Sequence, residues 1–128
     1  MTDFIRDEAV SNLESALDEG QGPEYLPTQG YGGSVEPVKS KDVAHVIAVC
    51  SWTEEGYAEC TVMGVVLFND GRYAYVEGGC DTTGWDCRSN VRVCFASSLN
   101  DVIRWGMTDE SREKLPEIEA AATSGMFP

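Results

Sequence analysis

Positive charge and histidine are what this chain has least of. Among 128 residues there are nine lysines and arginines against 22 aspartates and glutamates, a formal charge of −13, and one histidine, His45. A field of that sign repels nucleic acid and anionic lipid, and it favours basic partners. A single histidine leaves metal sets without a second imidazole and leaves any cysteine nucleophile short of a base. Long apolar runs are missing as well. The longest, residues 43–50, is interrupted by His45 and is far too short to cross a bilayer. Residues 1–8 are acidic and lack the apolar stretch of a signal peptide, so the expectation is a cytoplasmic protein without membrane contact. The glycine-rich run Gly30-Tyr31-Gly32-Gly33 has neither a strand before it nor a helix after it, so it is no phosphate cradle.

What is present fits one globular domain. Apolar residues make up 42% of the chain, enough for a single core at this length. The acidity is uneven, with a net −9 in residues 1–60 and −4 in residues 61–128. Ordinary solubility explains such a surplus. The sharper reading is a surface that occupies a basic groove on another protein.

Apolar residues at helical spacing (Ile5, Ala9, Leu13, Ala16, Leu17) predict an N-terminal helix over residues 3–19. Its other face carries Asp7, Glu8, Glu14 and Asp18, the candidate carboxylates for a basic partner. Residues 20–40 hold five glycines and three of the five prolines and read as a loop or linker, with Tyr25 and Tyr31 free to pin it or to bind. From residue 43 the pattern turns to β. Strands are expected over about 43–51, 57–68, 72–77 and 91–95, the first of them central and buried around His45. Asp70-Gly71 predicts a two-residue type I′ hairpin turn. Ser98, Thr108 and Pro116 then punctuate a helical C-terminal segment. The fold class read from this order is α+β, a three- to four-stranded antiparallel sheet with one face covered by the N- and C-terminal helices. Trp52 and Trp105 read as core or core-edge aromatics.

Chemistry concentrates in Cys80-Asp81-Thr82-Thr83-Gly84-Trp85-Asp86-Cys87. With Cys94, the thiols are spaced C-x6-C-x6-C, and five cysteines in all leave an odd number. Metal candidates are Cys80, Asp81, Asp86, Cys87 and Cys94, but no paired C-x2-4-C knuckle aims two sulfurs at one ion. A Cys80–Cys87 disulfide and an acid–base site on the carboxylates are the other readings. The plain alternative is a closed, metal-free loop with Trp85 turned inward as a plug. Turned outward, Trp85 is a binding anchor.

The runs from Gly64 to Glu77, from Cys80 to Cys87 and from Leu99 to Arg112 resemble a set of small bacteriophage and actinobacterial proteins with no assigned activity. The resemblance spans residues 60–115. It implies a phage accessory protein acting in the host cytoplasm, and it carries over no catalytic residue and no cofactor. Two functions follow as expectations. The first is a non-enzymatic protein that binds a host protein, through Asp7, Glu8, Glu14, Asp18, Tyr25, Tyr31 or Trp85. The alternative is a metal- or thiol-dependent enzyme or redox module built on the Cys80–Cys87 loop.

Overall fold

The computed structural model describes residues 2–19, 24–54, 59–80 and 90–124. Helix α1 (Thr2–Glu19) buries Ala9, Leu13, Ala16 and Leu17 and turns Asp7, Glu8 and Glu14 outward, as its periodicity dictates. Two acidic residues at its C-terminal end oppose the helix dipole. Asp18 answers this by bonding elsewhere. Its carboxylate accepts from the Ser40 backbone N–H at 2.8 Å and from the Ser40 hydroxyl, tying α1 to a single 3-10 turn, Ser40–Asp42.

Five strands follow: β1 (Glu24–Pro27), β2 (Val43–Glu54), β3 (Glu59–Phe68), β4 (Tyr73–Cys80) and β5 (Asn90–Ala96). They form one sheet in the order β1-β5-β4-β3-β2. The α+β class holds, but the sheet has five strands rather than three or four, and it is mixed. β1 runs parallel to β5, with Glu24 opposite Arg92 and Pro27 opposite Phe95, while the other pairings are antiparallel. The extra strand lies inside the stretch expected to be a loop. It is four residues long and ends in Pro27, which suits an edge position.

β2 is the other outermost strand, not a central one. His45 is accordingly exposed, which corrects its reading as a buried core histidine. Two register shifts interrupt β2, between Val43 and His45 and between Val46 and Ala48.

The β3–β4 hairpin turns at Asn69-Asp70-Gly71, one residue longer than a type I′ turn. Phe68 N–H donates to Arg72 O at 2.8 Å, Gly71 N–H donates to Phe68 O at 3.0 Å, and Gly71 takes the positive φ of +93° that closes such a three-residue loop. The Asp70 carboxylate reinforces it by accepting from Arg72 N–H at 3.1 Å and Arg72 Nε at 2.8 Å.

Helices cover both faces of the sheet instead of one. On the first face, α1 packs over β2, β3 and β4, and its buried stripe shares one core with Val62, Val66, Val76, Val93 and Phe95. Gly64 makes that approach close: a Cβ there would stand 3.2 Å from Leu13 Cδ2 and 3.3 Å from Ala48 O. On the second face lie α2 (Leu99–Asp101), a π-helical turn (Val102–Gly106), α3 (Asp109–Lys114) and α4 (Glu117–Ser124). They bury Leu99, Val102, Leu115 and Ile118 against Val65, Tyr75 and Cys94. Ser98 caps α2 by accepting from Asp101 N–H at 3.2 Å, and Thr108 and Ser111 form a reciprocal cap on α3. The π turn leaves Ile103 O without a helical partner. Arg112 supplies one, donating from Nη2 at 2.7 Å and Nε at 3.1 Å. Trp105 is not a core aromatic. It is 46% exposed, with the Arg104 guanidinium 5.9 Å from its ring centroid. Among the described residues no helix is long and apolar enough to cross a membrane.

Candidate functional site

Carboxylates collect in two places. The first is the outer face of α1, where Asp7, Glu8 and Glu14 are exposed. The ion pairs among the described residues are Arg72–Asp70, Arg92–Glu77 and Arg112–Asp109, and none of them takes a carboxylate of α1. Glu14 also stands at the rim of a cleft of about 190 Å³ between α1 and the start of β2, walled by Val10, Leu13, Leu17, Val43 and Val46. An acidic group over an apolar slot matches the chemistry of a lysine or arginine side chain, whose aliphatic stem is apolar and whose head is charged. Asp18 differs from its three neighbours on the helix, because Ser40 holds its carboxylate.

The second place is a cleft of about 310 Å³ on the second face of the sheet, at the end where β1, β3 and β5 begin and β4 finishes. Its charged wall is a row across three strands. Arg92 of β5 faces Glu24 of β1 on one side and Glu77 of β4 on the other. Arg92 Nη1 lies 3.7 Å from Glu77 Oε1, with side-chain exposures of 50% and 31%. A pair this open and this long contributes little to stability. Thr61, Met63 and the Gly78-Gly79 pair complete the lining. Behind Glu77 stands Tyr75, whose hydroxyl donates to Glu77 Oε2 at 2.9 Å. Burial, and then the Glu77 charge, push the Tyr75 phenol well above its ordinary value, so it is a permanent donor and not a base.

Tyr25 and Tyr31 are half-buried. Their rings stack on Phe95 with centroids 6.2 and 6.4 Å away. Tyr25 Oη donates to Val38 O at 3.3 Å, Tyr31 Oη donates to Ser34 O at 3.3 Å, and burial raises the Tyr25 phenol. From the other side, Arg72 lies 4.5 Å from the Phe95 centroid and donates from Nη1 to Glu36 O at 3.1 Å. The segment after β1 is thereby fastened to the first face of the sheet.

Asp81, Trp85, Asp86 and Cys87 lie outside the described residues, and with them the closed-loop and plug readings. Cys80 is the last residue of β4, and Cys94 is buried in the second core. Cys94 pairs in register with Tyr75, five residues before Cys80, a separation of roughly 16 Å along the strand at about 3.3 Å per residue. The sheet therefore does not bring these two metal candidates together. Burial pushes the Cys94 thiol up, against the opposing pull of Arg92. Cys50 is raised by burial and by the nearby Glu117 charge. Neither is poised as a thiolate. Among the described residues no three histidine, cysteine or acidic side chains converge in a way that could hold a metal ion.

The α1 carboxylates were readable from helical periodicity. The Glu24–Arg92–Glu77 row was not, because it draws one residue from each of three strands, and one of those strands had no signal. Comparison with protein-family models, with curated proteins and with solved structures finds no match.

Proposed function

We propose that this chain is an acidic accessory protein of the bacteriophage type that binds a basic protein of the host cytoplasm and occupies its basic groove. The observation that carries this reading is the outer face of α1. Asp7, Glu8 and Glu14 are exposed there, outside the ion pairs formed among the described residues. The helix beneath them is held in place by the Leu13 contact at Gly64 and by the Asp18–Ser40 bonds. Unpaired charges on a fixed element steer association more than they add affinity. The slot below Glu14 supplies the desolvated contact that steering alone lacks, by taking the stem of a basic side chain.

The test begins with capture of a partner from bacterial lysate on the immobilised full-length chain, followed by association kinetics over a salt series. The association rate should fall by about tenfold or more between low and high salt, as steered encounters do. E8K/E14K should slow association further while leaving the thermal midpoint close to the parent. A rate indifferent to both salt and these substitutions overturns the α1 assignment.

A further inference from the structure

The charged wall of the 310 Å³ cleft is one part of a longer row. In register, Glu24 of β1 stands opposite Arg92 of β5, Arg92 opposite Glu77 of β4, and Glu77 opposite Met63 of β3. Four adjacent strands thus set two carboxylates, one guanidinium and one thioether side by side on the second face. Neighbouring strands lie about 4.8 Å apart, so the Glu24 and Glu77 backbones stand about 10 Å apart with Arg92 midway. Met63, 6% exposed, closes the row on the β3 side. Two residues beyond Glu77 on the same face, Gly79 has no side chain to fill the space in front of the row. These charges do not satisfy one another. Glu24 enters none of the ion pairs among the described residues. The Arg92–Glu77 contact, at 3.7 Å, is too long for a hydrogen bond. Glu77 is nonetheless fixed, because the Tyr75 hydroxyl donates to its Oε2 at 2.9 Å.

We propose that this cleft binds a free basic amino acid, arginine or lysine, through the Glu24–Arg92–Glu77 row. Such a molecule carries two cations and one anion, the complement of two carboxylates flanking one guanidinium. Its α-carboxylate pairs with the planar fork of Arg92, the geometry in which arginine recognises carboxylates best. Its α-ammonium meets one flanking glutamate and its side-chain cation the other, with the aliphatic stem spanning the row between them. Related molecules leave part of the row unmatched. An amine without a carboxylate offers nothing to Arg92, and a neutral amino acid leaves one glutamate without a cation. An acidic amino acid is repelled by both. The cleft lies on the face of the sheet opposite α1, so its occupation does not depend on what α1 binds.

The experiment follows backbone amide NMR signals of the isotope-labelled full-length chain during titration with L-arginine, L-lysine, agmatine, L-norleucine and L-glutamate. Arginine and lysine should saturate a single site and shift the amides of Thr61, Gly78, Gly79 and Arg92. Agmatine, which is arginine without its carboxylate, and norleucine, which lacks a side-chain cation, should each bind about tenfold more weakly, the loss expected of one charge-assisted contact. Glutamate should not bind. R92Q should lower arginine to the level of agmatine, and E24Q should lower it to the level of norleucine. Both side chains are exposed, so each variant should keep a thermal midpoint close to the parent. Absence of saturable shifts at about 10 mM arginine would overturn the proposal. So would shifts spread over the acidic outer face of α1, agmatine bound as tightly as arginine, or an arginine–agmatine difference that survives in R92Q.

Discussion

The two faces of the sheet are built on opposite plans. The first is closed by one long helix that sets an alanine–leucine stripe onto valines, close at Gly64, and by the segment after β1, whose Tyr25 and Tyr31 rings lie on Phe95. The second is closed by short helices and a π turn, and it admits polar groups: the Tyr75 hydroxyl, buried Ser111, and Thr28 Oγ1, which has no hydrogen-bond partner. It then opens into the charged cleft. A face closed mainly by apolar packing is sensitive to volume. A face closed around polar groups is sensitive to protonation and to single hydrogen bonds.

That contrast is easiest to break at Leu13. Leu13→Ala removes a fully buried side chain from α1, the only helix over the first face among the described residues, and should cost about 2–5 kcal/mol, read by denaturant unfolding. A loss under about 1 kcal/mol, smaller than buried leucines usually show, would mean that α1 is not an integral layer.

The second face should answer to pH. Burial raises the phenol of Tyr75 and the thiols of Cys94 and Cys50 in the folded state. Their neutral forms therefore stabilise the fold fully below the ordinary values of about 8.5 for cysteine and 10 for tyrosine, and this stability is lost as pH climbs past them. Stability should fall above about pH 9. Tyr75→Phe should cost about 1 kcal/mol near neutrality, for the lost bond to Glu77, and should flatten the alkaline part of the curve. An unchanged alkaline slope would remove Tyr75 from the account.

Thr28→Val is a finer probe. It replaces a buried hydroxyl that has no partner by a methyl of the same shape, and it should raise stability by about 1 kcal/mol. Least of all, Trp105→Ala should change stability by no more than about 0.5 kcal/mol, because the ring stands on the outside of the π turn.

Local chemistry was readable where one segment decides the outcome. The helical stripe of α1, the Asp70-Gly71 turn and the Ser98 cap each depend on residues within a few positions of one another. Strand order does not. β1 has four residues in a glycine- and proline-rich stretch, and its partner β5 begins 66 positions later at Asn90, so periodicity had nothing to register. The exposure of His45 follows from β2 being outermost, which no property of β2 itself encodes. The turn length mattered more than its type. A two-residue turn at Asp70-Gly71 would have set Cys60 opposite Asp81. The three-residue loop sets it opposite Cys80, and eight positions separate that pair from Phe68 and Arg72 on either strand.

The register shifts in β2 bear on how this chain behaves at high concentration. An outermost strand of 12 residues, rich in valine and alanine, is the kind of edge on which fibrils grow by adding copies. Bulges after Val43 and Val46 bend that edge, so that a second copy laid along it cannot keep step. Resistance to edge-to-edge aggregation is therefore set by backbone geometry as well as by charge, and it should persist in salt strong enough to screen the −13.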